Sequence, residues 1–246
     1  MLFRTVYGPE LEAIYCYIDK YGPLSRSQVI TVFTGIDANE KASTANIEDA
    51  IAFLKTAGMI KTRADLYHTI YKNVDSIDFK LCLLKQISSL KKSHSKLDTY
   101  YFQFLDLLFV KQDKVFQNEL HKAVNSLDLP WPCSEEKINA WRRVLEYLGL
   151  GYRGYSGLAV HYDCEIVKRI IARWDEKEGP LQHFLEKVFS QYLPWATYDG
   201  DISSALRLPL LRLVEQGAIS LQPKQDLPYK SYLGQKRVKW LSREDA

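Results

Sequence analysis

Apolar residues recur at intervals of three and four along most of the chain, and several of these runs end in a glycine followed by a short alternating stretch. In PELEAIYCYIDKYG, Leu11, Ile14, Tyr15 and Ile18 mark a first helix, with Pro9 suited to its first turn and Gly22-Pro23 at its end. A second short helix fits LSRSQVITVF from Leu24: Ser25 and Gln28 have capping-box spacing, and Gly35 stops it. In STANIEDAIAFLKTAG, Ser43 or Thr44 caps a third helix whose Ile47, Ala50, Ile51 and Leu54 share one face, and Gly58 is its C-terminal stop. MIKTR and LYHTIY then alternate around Ala64-Asp65, which is the pattern of a hairpin.

The same order returns twice. Residues 76–95 come between the first two occurrences and read as a connector helix, with Ile77, Leu81, Leu84, Ile87 and Leu90 on one side and Lys80, Lys85, Lys91 and Lys92 elsewhere. After Leu97, TYYFQFLDLLFVKQ predicts a first helix, VFQNELHKAVNSL a second, and SEEKINAWRRVLEYLG a third that runs from a Ser134 cap to Gly149. LGYRGYSGLAVHYD supplies the hairpin, with Gly154 and Gly157 flanking its turn. A helix from Cys164 to about Glu176, carrying Ile166, Ile170, Ile171 and Trp174, leads to a boundary at Gly179-Pro180. Beyond it, PLQHFLEKVFSQYL predicts a first helix, and WATYDGDISSALRL leaves room for at most a truncated second. Pro209 kinks or starts the third, which ends at Gly217; AISLQ and QKRVKWL form the closing hairpin.

Three helices followed by a hairpin resemble the winged helix, the helix-turn-helix variant in which a β-hairpin wing follows the recognition helix. The resemblance implies a mainly α fold with short β-hairpins in three tandem winged-helix domains. These cover residues 1–75, 97–178 with a trailing helix, and 179–246, with the connector helix over 76–96. It also implies duplex DNA as partner, with the third helix in the major groove and the wing along the backbone.

The three copies differ in the charge they offer. In the first, Thr44, Asn46, Glu48, Asp49 and Lys55 fall on the outer side of the third helix, and its two carboxylates repel phosphate. The second offers Lys137, Asn139, Arg142 and Arg143, with Trp141 placed in the core by Ile138, Val144, Leu145 and Leu148, and Arg153 on the wing beside Tyr152 and Tyr155. The same cations also serve simply to offset Glu135, Glu136 and Glu146 along a solvated helix. In the third copy, Lys224, Lys230, Lys236, Arg237, Lys239 and Arg243 face one acid, Asp226. Six phosphate contacts would give a salt slope of roughly −5, while edge lysines that discourage aggregation account for the same pattern.

Composition narrows the field. With 246 residues, 46% hydrophobic and 26% charged, and a net charge of +3, the chain has ordinary globular composition. A cytoplasmic protein with no membrane partner is expected, with Cys16, Cys82, Cys133 and Cys164 reduced. His161-x-x-Cys164 lacks a second ligand pair, Asp199 and Asp201 in YDGD fit a turn as well as a cation, and no phosphate loop or nucleophile elbow is present. The expectation is a non-catalytic protein with no cofactor and no metal. An alternative partner is protein: tandem winged-helix chains also resemble accessory subunits of chromosome-organising ATPase complexes, which would make this chain a scaffold within a larger DNA-associated complex or a homodimer. FQFLDLLFV from Phe102 separates the two, because a helix apolar nearly all round is either buried in its own chain or covered by another.

Overall fold

The computed structural model describes residues 2–36, 42–90, 96–129, 132–155, 157–193, 196–224 and 228–244. Lys91 and Lys92 of the expected connector, and Asp226 of the third hairpin, lie outside them. The described chain is built of α-helices and small antiparallel sheets of two or three strands.

One order of elements occurs three times. First come α1 (Gly8–Tyr21), β1 (Leu24–Ser25), α2 (Arg26–Phe33), the pair β2 (Gly35–Ile36) and β3 (Ala42–Ser43), α3 (Ala45–Thr56), and the hairpin β4 (Ile60–Arg63) and β5 (Leu66–Thr69). After α4 (Ser76–Ser89) follow α5 (Lys96–Leu108), β6 (Phe116–Gln117), α6 (Leu120–Asn125), α7 (Glu135–Tyr147), β7 (Gly151–Gly154) and β8 (Gly157–Val160). The third pass has α8 (Cys164–Ala172), β9 (Glu178–Pro180) and α9 (Leu181–His183), which continues through a π turn to Val188 and a 3-10 turn to Gln191. It is completed by the pair β10 (Thr197–Tyr198) and β11 (Asp201–Ile202), α10 (Ser204–Glu215), β12 (Ile219–Gln222) and β13 (Trp240–Arg243). In each of the three-stranded sheets the second hairpin strand is central and the short early strand joins its free edge: β1-β5-β4, β6-β8-β7 and β9-β13-β12.

This pattern corrects the sequence reading at several points. Leu24-Ser25 and Phe116-Gln117 are strands rather than helix starts, because each pairs with a hairpin strand. Gly179-Pro180 is no boundary, since β9 pairs with β13 and Gly179 approaches Trp174 so closely that a Cβ would lie 2.8 Å from the indole. The first helix of the third pass is therefore α8, and PLQHFLEKVF is its second. Pro209 neither starts nor ends α10 but lies inside it. A proline there cannot donate to the Ala205 carbonyl, and the Tyr162 backbone N–H takes that acceptor at 3.3 Å. The closing strand falls later than QKRVKWL, at 240–243, with Val238 bridged to Tyr232 instead.

By compactness the chain forms two units, one of residues 1–101 with 130–148 and the other of 102–129 with 149–246. The first holds all of the first pass, α4 and α7. Buried Phe79, Leu81, Cys82, Leu83, Leu84 and Ile87 place α4 in that core. Trp141 of α7 is fully buried and its Nε1 donates to the Tyr101 carbonyl at 2.5 Å. The second unit holds the other two three-stranded sheets and the β10–β11 pair, with Leu158, Val160, Ile166, Ile170, Phe184, Phe189, Leu210 and Leu241 buried.

The three expected helix stops are real. Gly58, Gly149 and Gly217 have φ of 74°, 69° and 68°, a left-handed backbone that costs glycine little. At two of them the next amide reaches back to close the last turn, Met59 to the Leu54 carbonyl and Ala218 to the Leu213 carbonyl, both at 2.9 Å. The Ser25–Gln28 capping box is present, and Ser134 accepts from the Lys137 amide. Thr44 stands at the cap of α3, but its hydroxyl donates to Glu48 Oε1 at 3.4 Å rather than capping a backbone amide.

In the first unit, α1 is fastened to the end of the hairpin by two side chains. Tyr15 Oη donates to the Tyr71 carbonyl (2.8 Å) and accepts from the Tyr71 amide (3.0 Å). Asp19 accepts from Thr69 Oγ1 (2.9 Å), the Asn73 amide (2.8 Å) and Lys72 Nζ (2.9 Å). Burial opposes ionisation of Asp19, but the bonds from Lys72, Asn73 and Thr69 outweigh it and hold the carboxyl below its ordinary range. A depressed folded pKa contributes stability that is complete above the unfolded value of about 4 and is lost as pH falls through the folded one. Asp19→Asn should therefore flatten the loss of urea-denaturation stability as pH falls below the unfolded value of about 4, and Asp19→Ala should cost about 1–3 kcal/mol at neutral pH. An acid dependence unchanged in Asp19→Asn would contradict this role.

Candidate nucleic-acid interface

The cations expected on α7 are largely occupied by the first unit itself. Arg142 is only 6% exposed, and its Nη2 donates to Asn139 Oδ1 at 2.8 Å. Its expected outward position is wrong: Arg142 follows Ile138 by four residues and so continues the buried stripe. Arg143 donates to Tyr7 Oη at 3.0 Å, with its guanidinium 4.8 Å from the ring centroid. Half-buried Lys137 lines a cleft of about 280 Å³ with Arg4, Thr5, Asp49 and Glu136, a mixed-charge wall that does not favour phosphate. On α3, Asp49 pairs with Arg4 and Glu48 with Arg26, so these carboxylates are partly neutralised. Lys61, Arg63 and His68, which the sequence reading missed, share one face of the first hairpin, with Lys61 opposite His68 and both Lys61 and Arg63 exposed. The alternation in IKTR was their signal.

In the second unit the basic hairpin is more open. Lys224, Lys230, Lys236 and Arg237 are exposed, Lys239 is half-buried, and Arg243 is turned inward to donate to the Ala172 carbonyl at 2.9 Å. Lys224 Nζ lies 3.8 Å from the centroid of Trp240 and Lys230 Nζ 5.6 Å from that of Tyr232, contacts that direct the chains along the hairpin without removing their charge. Tyr232 is buried and Trp240 half-buried, so both serve to anchor the hairpin.

Lys236 and Arg237 stand on a fixed turn. The Tyr232 and Val238 backbones exchange two hydrogen bonds, of 2.8 and 2.9 Å, around a loop in which Leu233, Gly234 and Arg237 all have positive φ. Asp201 pins it: its carboxylate accepts the Leu233 amide at 2.6 Å and the Gly234 amide at 3.1 Å, with Arg207 Nη2 at 3.4 Å. YDGD thus makes a turn, with Asp199 and Gly200 at φ 43° and 82°, and a clasp for the basic loop. Among the described residues no group of three or more His, Cys, Asp or Glu is placed to hold a metal ion. Arg153 is exposed near the tip of the β7–β8 hairpin.

Among the described residues no helix is long and apolar enough to cross a membrane. Comparison with protein families, curated proteins and solved structures gives no match.

Proposed function

We propose that the chain is a non-catalytic DNA-binding protein whose three passes are tandem winged-helix elements and which holds duplex DNA through the basic hairpin of the second unit. The observation that carries this is the set of four exposed cations, two of them on a turn fixed by Asp201, so that little ordering entropy is lost on binding. Arg153 and Lys239 are secondary contacts, while Arg142, Arg143 and Asn139 are structural and Lys137 stays in its mixed-charge cleft. The recurrent order of helix, strand, helix, helix and hairpin supports the winged-helix assignment.

The scaffold alternative is weakened at the point where it was distinctive. Phe104, Leu105, Leu108, Phe109 and Val110 are buried, which reduces the apolar surface left for a partner to cover; the Phe102 side chain lies outside those described. Titration of a labelled random-sequence duplex at low salt tests the proposal. A dissociation constant in the micromolar range or tighter is expected, and one weaker than millimolar would contradict it.

A further inference from the structure

The β6–β8–β7 sheet carries an aromatic face that duplex binding does not use. Phe116, Ala159 and Tyr152 lie side by side across its three strands, so their side chains share one face. The other face is core, with Leu158 and Val160 buried. Phe116 is 45% exposed and Tyr152 60% exposed, while Ala159 between them is 8% exposed and forms the floor. The Phe116 ring lies down over the glycines: a Cβ on Gly157 would sit 2.8 Å from its Cζ, and one on Gly154 3.5 Å from its Cε2. Two glycines and an alanine in this row are what allow the ring to lie close to the backbone. Tyr152 stands edge-on to His161, and Arg212 Nη1 is 3.4 Å from His161 Nε2. Tyr155, 97% exposed, extends the aromatic set at the hairpin tip.

Lys114 and Arg212 are exposed, whereas Arg153, opposite Leu158, leaves from the other face of the sheet. Of the carboxylates in the flanking segments, Glu119 is offset by Lys122, while Asp113 and Asp163 accept from the neutral Ser204 and Glu165 amides. Exposed π-faces on a small flat floor, bordered by open cations, match the chemistry that binds unpaired nucleobases by stacking while holding their phosphates. The exposed apolar side chains, Val115, Phe116, Tyr152 and Tyr155, form too small a set for a stable protein interface.

We propose that this face is a stacking site for single-stranded nucleic acid, separate from the duplex-binding hairpin. The test compares the full chain with Phe116→Ala plus Tyr152→Ala by fluorescence anisotropy on a labelled thymidine oligonucleotide, an abasic oligonucleotide of equal length, and a random duplex. The double variant should lose on the order of 10- to 100-fold in single-strand affinity with duplex affinity unchanged. The abasic strand should bind the wild type as weakly as the variant binds the intact one, a comparison that needs no variant to fold. Equal binding of intact and abasic strands, an unchanged single-strand affinity, or an equal loss for duplex would overturn the proposal. So would a wild-type dimer that the double variant converts to monomer in light scattering, which would assign the face to a second copy of the chain. Failure of the wild type to bind duplex counts against the hairpin and leaves this site standing.

Discussion

The triple variant Lys230→Ala, Lys236→Ala, Arg237→Ala is expected to bind random duplex DNA several hundredfold more weakly than the wild type at about 0.1 M salt. The size follows from counterion release. Each phosphate contact contributes about 0.9 to the slope of log affinity against log salt, which is about eightfold per contact at 0.1 M relative to 1 M, and three contacts multiply. All three side chains are exposed and none makes a buried hydrogen bond, so the fold should be unaffected. Arg237 has φ 45°, a strain that alanine shares, so the turn is not penalised further. Fluorescence anisotropy with matched melting curves checks it, and a change smaller than about threefold would remove the hairpin from the interface.

Trp141→Ala should be the most damaging core substitution, at about 3–5 kcal/mol. The indole is fully buried, and its Nε1 is the donor to the Tyr101 carbonyl. Truncation leaves a cavity and takes away the donor to a buried carbonyl, and both costs act on the unit that contains α7. Urea denaturation followed by far-ultraviolet circular dichroism measures the loss. Trp141→Phe should recover most of the packing and none of the hydrogen bond, and so fall between. A loss below about 1 kcal/mol for the alanine variant would show that the site collapses without cost.

What was legible in the sequence was local. The capping box at Ser25, the cap at Ser134 and the stops at Gly58, Gly149 and Gly217 are decided by one or two side chains and a backbone angle. The short strands β1, β6 and β9 were not, because two or three residues have no period to read and become strands only by pairing with β5, β8 and β13. Missing β9 displaced the third pass by one helix, since Gly179-Pro180 has the composition of a boundary and the position of an edge strand. Pro209 misled for a similar reason: the bond it cannot make is supplied from Tyr162, far away in sequence.

The interface was legible in outline. Counting charge located the basic hairpin, but not that Arg243 is spent on a backbone carbonyl or that Asp201 fixes the turn, which are tertiary facts. On α7 the error was avoidable. The spacing from Ile138 to Arg142 is as helical as that from Ile138 to Trp141, and an arginine is easily assigned to solvent when its long stem can be buried.

The most direct measurement is the salt dependence of wild-type binding to a random duplex between about 50 and 300 mM. Four exposed hairpin cations call for a slope of log affinity on log salt near −4, falling by about 3 in the triple variant. A slope close to zero, or the same slope in both proteins, would contradict electrostatic capture of duplex DNA by this hairpin.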